Sequence, residues 1–224
     1  MSRERWMALL FAAGSACFLV GPFPGYLELV GPGGDAATFF AGSLLFTAGG
    51  AVQTWLAYPE RRSSGAARAA CWAAVIQSAG TVFFNFTTFR AMDTALSNPA
   101  YDALVWRPDA LGSICFLVSG LIAYLAAPPR GWRVTRGGSG WWEPVVNLLG
   151  CIFFAIAATA GYVVPASGSM LDLAAANWNT AAGAACFLAC AVATLRTGRT
   201  LKSPRLRHLR KFEHMVEREV DRLV

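Results

Sequence analysis

Gly14-Ser15-Ala16-Cys17-Phe18 opens a pattern that the chain repeats five more times. The other copies are Gly42-Ser43-Leu44-Leu45-Phe46, Gly80-Thr81-Val82-Phe83-Phe84, Gly112-Ser113-Ile114-Cys115-Phe116, Gly150-Cys151-Ile152-Phe153-Phe154 and Gly183-Ala184-Ala185-Cys186-Phe187. Each is a glycine, a small residue, two spacers and a phenylalanine. Each lies inside its own apolar run: Trp6–Val20, Ala36–Tyr58, Ala69–Phe89, Ala110–Ala127, Val145–Val164 and Trp178–Leu195. A helix needs about 20 mostly apolar residues to cross a hydrocarbon core. The first run is short by that standard, and the others meet or approach it. The pattern predicts an all-α polytopic membrane protein, six transmembrane helices arranged as three repeated hairpins.

The spacing of the motif supports hairpins as the repeating unit. The glycines of odd runs stand at 14, 80 and 150 and those of even runs at 42, 112 and 183, a period of 66–71 residues. Odd runs each place a tryptophan eight residues before the glycine: Trp6, Trp72 and Trp142. Tryptophan at a span end suits an interfacial aromatic belt. Even runs instead place a small residue three after the phenylalanine: Gly49, Ser119 and Cys190. The repeats extend over about 5–58, 68–127 and 140–197. Residues 1–197 form the membrane domain, and 198–224 a cytoplasmic tail.

Glycine and phenylalanine four apart share a helix face. Lipid gives helices no hydrophobic reason to associate, so close packing through small residues must hold them together. Each glycine leaves a notch for a neighbouring backbone, and a phenylalanine one turn away can fill the notch of its neighbour. The helix-packing set is therefore Gly14, Phe18, Gly42, Phe46, Gly80, Phe84, Gly112, Phe116, Gly150, Phe154, Gly183 and Phe187.

Composition agrees with a membrane protein: 55% of the 224 residues are hydrophobic, 14% are charged, and mean hydropathy is +0.44. The net charge of +6 does not point to nucleic acid, because its placement follows topology. Of 19 Lys and Arg residues, only Arg90 and Arg107 fall on the side opposite the termini. Positive residues stay on the cytoplasmic side of a bilayer. Both termini are thus expected in the cytoplasm of a multi-pass cell-membrane protein. Met1–Arg5 before an apolar run imitates a signal peptide, but no small-residue cleavage site follows in Gly21-Pro22-Phe23-Pro24-Gly25, so the first run is expected to be retained.

The connections carry their own signals. Gly21–Asp35, dense in proline and glycine, predicts an irregular connection, with Asp35 capping the second span. Arg90–Asp109 predicts a short surface helix over Ala91–Leu96, an interruption at Asn98-Pro99, and a cap at Asp109. In the tail, Leu206, Leu209, Phe212, Val216, Val220 and Leu223 recur every three or four residues, an amphipathic helix. Its first half is basic and is expected to meet anionic lipid; its second half, with Glu213, Glu217, Glu219 and Asp221, is expected to peel away and pack against a second copy or another chain.

No constellation for catalysis is legible. The two histidines, His208 and His214, stand six apart in the tail, the wrong spacing for one helical face. The six cysteines, Cys17, Cys71, Cys115, Cys151, Cys186 and Cys190, all lie in apolar runs and read as small buried residues rather than a disulfide framework or metal site. Neither a catalytic residue, a metal site nor a cofactor is expected. Pumps and proton-coupled carriers usually place an ionisable residue within the membrane, and none is found here. Polar residues at depth are Gln53, Gln77, Asn85, Thr87, Thr88, Asn147 and Asn179. Gln77 and Asn85, eight apart, share a face of the third span. One reading is interhelical hydrogen bonding; the sharper one is an outward-facing ligand pocket of Gln77, Asn85, Arg107 and Asp109.

The six motif copies, with Trp106-Arg107-Pro108-Asp109 leading into Gly112-Ser113-Ile114-Cys115-Phe116 and Asn147-Leu148-Leu149 leading into Gly150, resemble the YrhK-like family of bacterial integral membrane proteins. The resemblance covers all six runs and stops before the tail. It implies tandem two-helix membrane repeats with no established activity and carries no site residue. The expected function is that of a non-enzymatic membrane protein, structural or regulatory. The alternative is a channel or carrier for a small neutral or apolar solute or lipid.

Overall fold

A computed structural model describes residues 1–93, 95–127 and 142–197. Its long helices are α1 (Arg3–Val20), α2 (Pro24–Ala57) and α3 (Gly65–Arg90), followed by a short α4 (Asn98–Tyr101), α5 (Arg107–Ala126), α6 (Glu143–Ala160) and α7 (Leu173–Thr197). A 3-10 turn at Pro59–Arg62 joins α2 to α3, and a widened turn at Asp102–Trp106 joins α4 to α5. Among the described residues, extended backbone pairs only where Val163 faces Met170. The tail at 198–224, with its expected amphipathic helix, lies outside the described residues.

Five stretches are long and apolar enough to cross a membrane: Pro24–Arg62, Gly65–Arg90, Asn98–Ala126, Glu143–Ala160 and Leu173–Arg196. The 18-residue α1 is not among them, because Arg3, Glu4 and Arg5 fill its first turn. Its outer face is nonetheless apolar, with Trp6 and Leu9 exposed.

The helices pack in a closed circuit. α1 lies against α2, α2 against α3, α3 against α5, α5 against α6 and α6 against α7, and α7 returns to α1. Phe18, Phe46, Phe84, Phe116, Phe154 and Phe187, one from each long helix, fill the centre as one cluster. Their rings meet mostly edge to face, from 5.0 Å between Phe84 and Phe116 to 6.4 Å between Phe46 and Phe116. Such aromatic pairs add about 0.5–1.5 kcal/mol each beyond the area they bury.

All six motif copies share one burial pattern. Glycine, small residue and phenylalanine are buried, and the residue between them, at the third position, is exposed. The second position is the tightest: Ser15, Ser43, Thr81 and Ser113 are at most 2% exposed, as are Cys151 and Ala184. The third position, Leu44, Val82, Ile114 and Ile152 among others, faces outward as apolar surface.

Within each hairpin the notches are filled reciprocally. A Cβ built on Gly14 would lie 2.7 Å from the Phe46 ring, and one on Gly42 3.1 Å from Phe18. Gly150 and Gly183 stand in the same relation to Phe187 and Phe154, at 3.0 and 2.5 Å. Cys17, Cys115 and Cys186 rest their Cβ atoms against Gly42, Gly80 and Gly150, and all six cysteines are free thiols, as small packing residues would be.

Four sequence expectations for the connections are corrected. Gly21–Asp35 is not an irregular loop: helix begins at Pro24 and continues to Ala57, broken only at Gly31 (φ 71°, ψ 169°). Proline suits the first turn of a helix, where its missing N–H costs nothing. Pro24 starts one segment and Pro32, directly after the break, starts the next. The short first segment folds back on the second. Tyr26 Oη and Thr38 Oγ1 are 2.7 Å apart, although twelve residues of straight helix would span about 18 Å. Asp35 therefore lies within α2 and caps nothing; its buried Oδ1 has no hydrogen-bond partner among the described residues.

Nor are the described residues of Ala91–Leu96 helical. Helix starts at Asn98 instead, with Pro99 in its first turn. Asp109 does not cap α5, since the residues before it are already helical. Pro108 explains the widened turn. Its ring would collide with the carbonyl four residues back in a regular helix, and the expansion at Asp102–Trp106 falls there. Asp172 is the carboxylate that does cap: its Oδ1 accepts from the Ala175 amide at the start of α7.

Candidate functional site

The phenylalanine cluster divides the interior of the bundle into two halves. On the side where α1 begins and α7 ends, a chamber of about 120 Å³ is lined by Gln53, Gln77, Asn147 and Thr194, from four different helices. Phe11, Phe46 and Phe187 also line it and form its aromatic floor. Gln53 Oε1 is buried with no hydrogen-bond partner among the described residues. Carboxamides offer both donors and acceptors but do not ionise. The chamber can therefore hold water or a small neutral polar molecule, and among the described residues its lining holds no carboxylate, histidine, lysine or arginine. Cys190, also in the lining, points its Sγ at the Glu143 carbonyl, 3.6 Å away.

The four residues expected to form one outward-facing pocket are not brought together. The cavity lined by Gln77 takes in none of the other three. Asn85 lies beyond the motif glycine on the other half of α3, where its Nδ2 donates to Thr47 Oγ1 at 2.8 Å. Its buried Oδ1 has no partner among the described residues. Arg107 is 66% exposed and grips Asp102, with Nη2 2.9 Å and Nε 3.0 Å from Oδ2. That pairing needs the widened turn, since Asp102 stands five residues away rather than four. Asp109 sits partly buried in the first turn of α5. Eight residues put Gln77 and Asn85 on one face, but about 12 Å of helix rise separates them, and the phenylalanine layer lies between.

The half around Asn85 is held by hydrogen bonds between helices. Ser43 and Thr88 hydroxyls are 2.9 Å apart, linking α2 to α3. Ser113 Oγ donates to the Phe154 carbonyl at 3.3 Å, linking α5 to α6, and Trp106 Nε1, at the end of the widened turn, donates to the Ala158 carbonyl of α6 at 2.8 Å. On the other half, Ser119 Oγ donates to the Ala73 carbonyl at 2.8 Å, linking α5 to α3. Bonds of this kind contribute about 0.6–2 kcal/mol each in membrane bundles.

Gln53 and Asn147 are legible in the sequence as polar residues at depth, but not as partners of Gln77; Thr194 carries no signal alone. The repeat register links all four. Gln77 and Asn147 each stand three residues before a motif glycine, and Gln53 and Thr194 each stand eleven after one. Phe11 holds the remaining position of the first kind.

Among the described residues, no group of three or more His, Cys, Asp or Glu side chains could hold a metal ion. Set against family models, curated proteins and solved structures, the chain matches none.

Proposed function

We propose that the chain is a multi-pass membrane protein of non-enzymatic, structural or regulatory role. It crosses the cell membrane six times as three hairpin repeats, with both termini in the cytoplasm, and its tail at 198–224 engages lipid, a second copy or another protein. The YrhK-like resemblance and the excess of arginine and lysine on the side of the termini support this reading. The observation that carries it is the central cluster: six phenylalanines occupy the axis along which a permeation path would run. Flux measurements on the full chain in proteoliposomes test it. Urea and glycerol entry should match that of empty liposomes, and faster entry would count against a sealed bundle.

The second reading is a carrier or receptor for a small neutral solute. The four-helix chamber around Gln53, Gln77 and Asn147 favours it. Saturable uptake of a neutral solute, lost in Gln77→Leu, would decide for it.

A further inference from the structure

The connection between α2 and α3 forms a groove of about 620 Å³ outside the central chamber, lined by Tyr58, Arg61, Arg62, Arg68, Trp72 and Val75 among others. Its chemistry is graded. Three guanidinium-bearing residues come from the connecting turn and the first turn of α3, and Cys71, Trp72 and Val75 extend the lining down the apolar side of α3. Arg61 is held in place, stacked 3.6 Å over the Tyr58 ring, with Nη1 donating to the Tyr58 carbonyl. The guanidinium groups of Arg62 and Arg68 form no ion pair or hydrogen bond among the described residues, and both side chains are exposed. Glu60 is the sole carboxylate between Tyr58 and Val75. Trp72 is 59% exposed, one of several large apolar side chains that α3 turns outward, Val82 and Phe89 among them.

An exposed tryptophan beneath unpaired arginines is the arrangement found where a protein meets lipid headgroups: the ring sits at headgroup depth, and the cations attract anionic lipid. Arginine also matches phosphate oxygens with a rigid fork of donors. We propose that this groove binds the phosphate-ester anion of an acidic phospholipid, with Arg62 and Arg68 on the headgroup and Trp72 and Val75 against the upper part of an acyl chain. The inference rests on the membrane reading, which places this end of α3 at an interface. It is independent of the chamber and of the tail.

Native mass spectrometry of the full chain released from detergent micelles tests it, with titrations of phosphatidylglycerol, phosphatidylcholine and sodium phosphate. Phosphatidylglycerol is expected to bind more tightly than phosphatidylcholine. Each arginine near a headgroup is worth roughly fivefold in affinity, so Arg62→Gln/Arg68→Gln should weaken phosphatidylglycerol binding by about 25-fold and leave phosphatidylcholine unchanged. Arg62→Lys/Arg68→Lys should keep most of the preference, and Arg107→Gln, at the far end of the bundle, all of it. An unchanged phosphatidylglycerol affinity in the double glutamine variant would overturn the proposal. So would displacement of the lipid by equimolar inorganic phosphate, which would mark a free-anion site. Failure of the wild-type chain to bind phosphatidylglycerol would overturn the proposal as well, and failure to bind either lipid would also count against the membrane reading on which it rests.

Discussion

The Phe116 ring stands 2.8 Å from the point where a Cβ on Gly80 would lie, and Phe84 stands 2.9 Å from the same point on Gly112. The two helices therefore interlock through mutual absence: each lacks a side chain where the other supplies an aromatic ring. Backbone closes the same sites, with the Gly112 carbonyl 3.0 Å from the Gly80 position and the Gly80 carbonyl 3.1 Å from that of Gly112. A ring can tilt away from an added methyl group, but a carbonyl in a helix cannot.

Gly80→Ala and Gly183→Ala should each destabilise the protein by about 1–3 kcal/mol, the range for overpacking a close-packed interior. Gly25→Ala should be neutral or slightly stabilising, because nothing lies within 4 Å of its Cβ position and alanine favours helix over glycine. Unfolding of the detergent-solubilised protein by dodecyl sulfate, followed by circular dichroism, reads all three. Equal effects at the three sites would refute the notch-and-ring packing.

Phe116 is the most buried of the six motif rings, at 1% exposure. Phe116→Ala should cost about 3–5 kcal/mol, the usual range for emptying a buried aromatic site. Phe83→Ala should cost under half of that, since Phe83 is a spacer of the third motif copy and is exposed. The same unfolding assay checks the ratio.

The Asn85–Thr47 bond predicts a measurable coupling. A double-mutant cycle with Asn85→Leu and Thr47→Val should return about 0.6–2 kcal/mol between α3 and α2. A coupling of zero would place Asn85 elsewhere, free for a ligand.

Gln53 predicts the reverse sign. Its Oε1 is buried without a partner among the described residues, and such an atom costs the fold its desolvation. Gln53→Leu should therefore leave the apparent Tm unchanged or raise it. A clear drop would show that Oε1 accepts a hydrogen bond from a molecule held in the chamber.

The motif made the core legible because it repeats: six copies with a fixed offset from glycine to phenylalanine give the same buried face six times. The chamber was harder to read. Gln53, Gln77, Asn147 and Thr194 are far apart in sequence, and only their offsets from the motif glycines relate them. Asn85 looked like a companion of Gln77 because eight residues return a helix to the same face, yet the face continues past a layer of rings that separates them. The connection at Gly21–Asp35 is hard to read for a different reason. Proline and glycine mark both loops and helix starts, and Pro24 and Pro32 each begin a helical segment, so composition alone could not separate the two. Arg107 shows no partner in the sequence because Asp102 stands at a five-residue spacing, which a regular helix does not bring together.

Whether α1 crosses the membrane decides between six spans and five, and it can be read directly. Short epitope tags before Met1 and after Val224, probed with protease in right-side-out and inverted membrane vesicles, report the side of each terminus. Six crossings with a closed circuit of helices predict that both tags are cut only in inverted vesicles. Tags on opposite sides would leave α1 outside the bilayer and contradict the sixfold arrangement around the phenylalanine core.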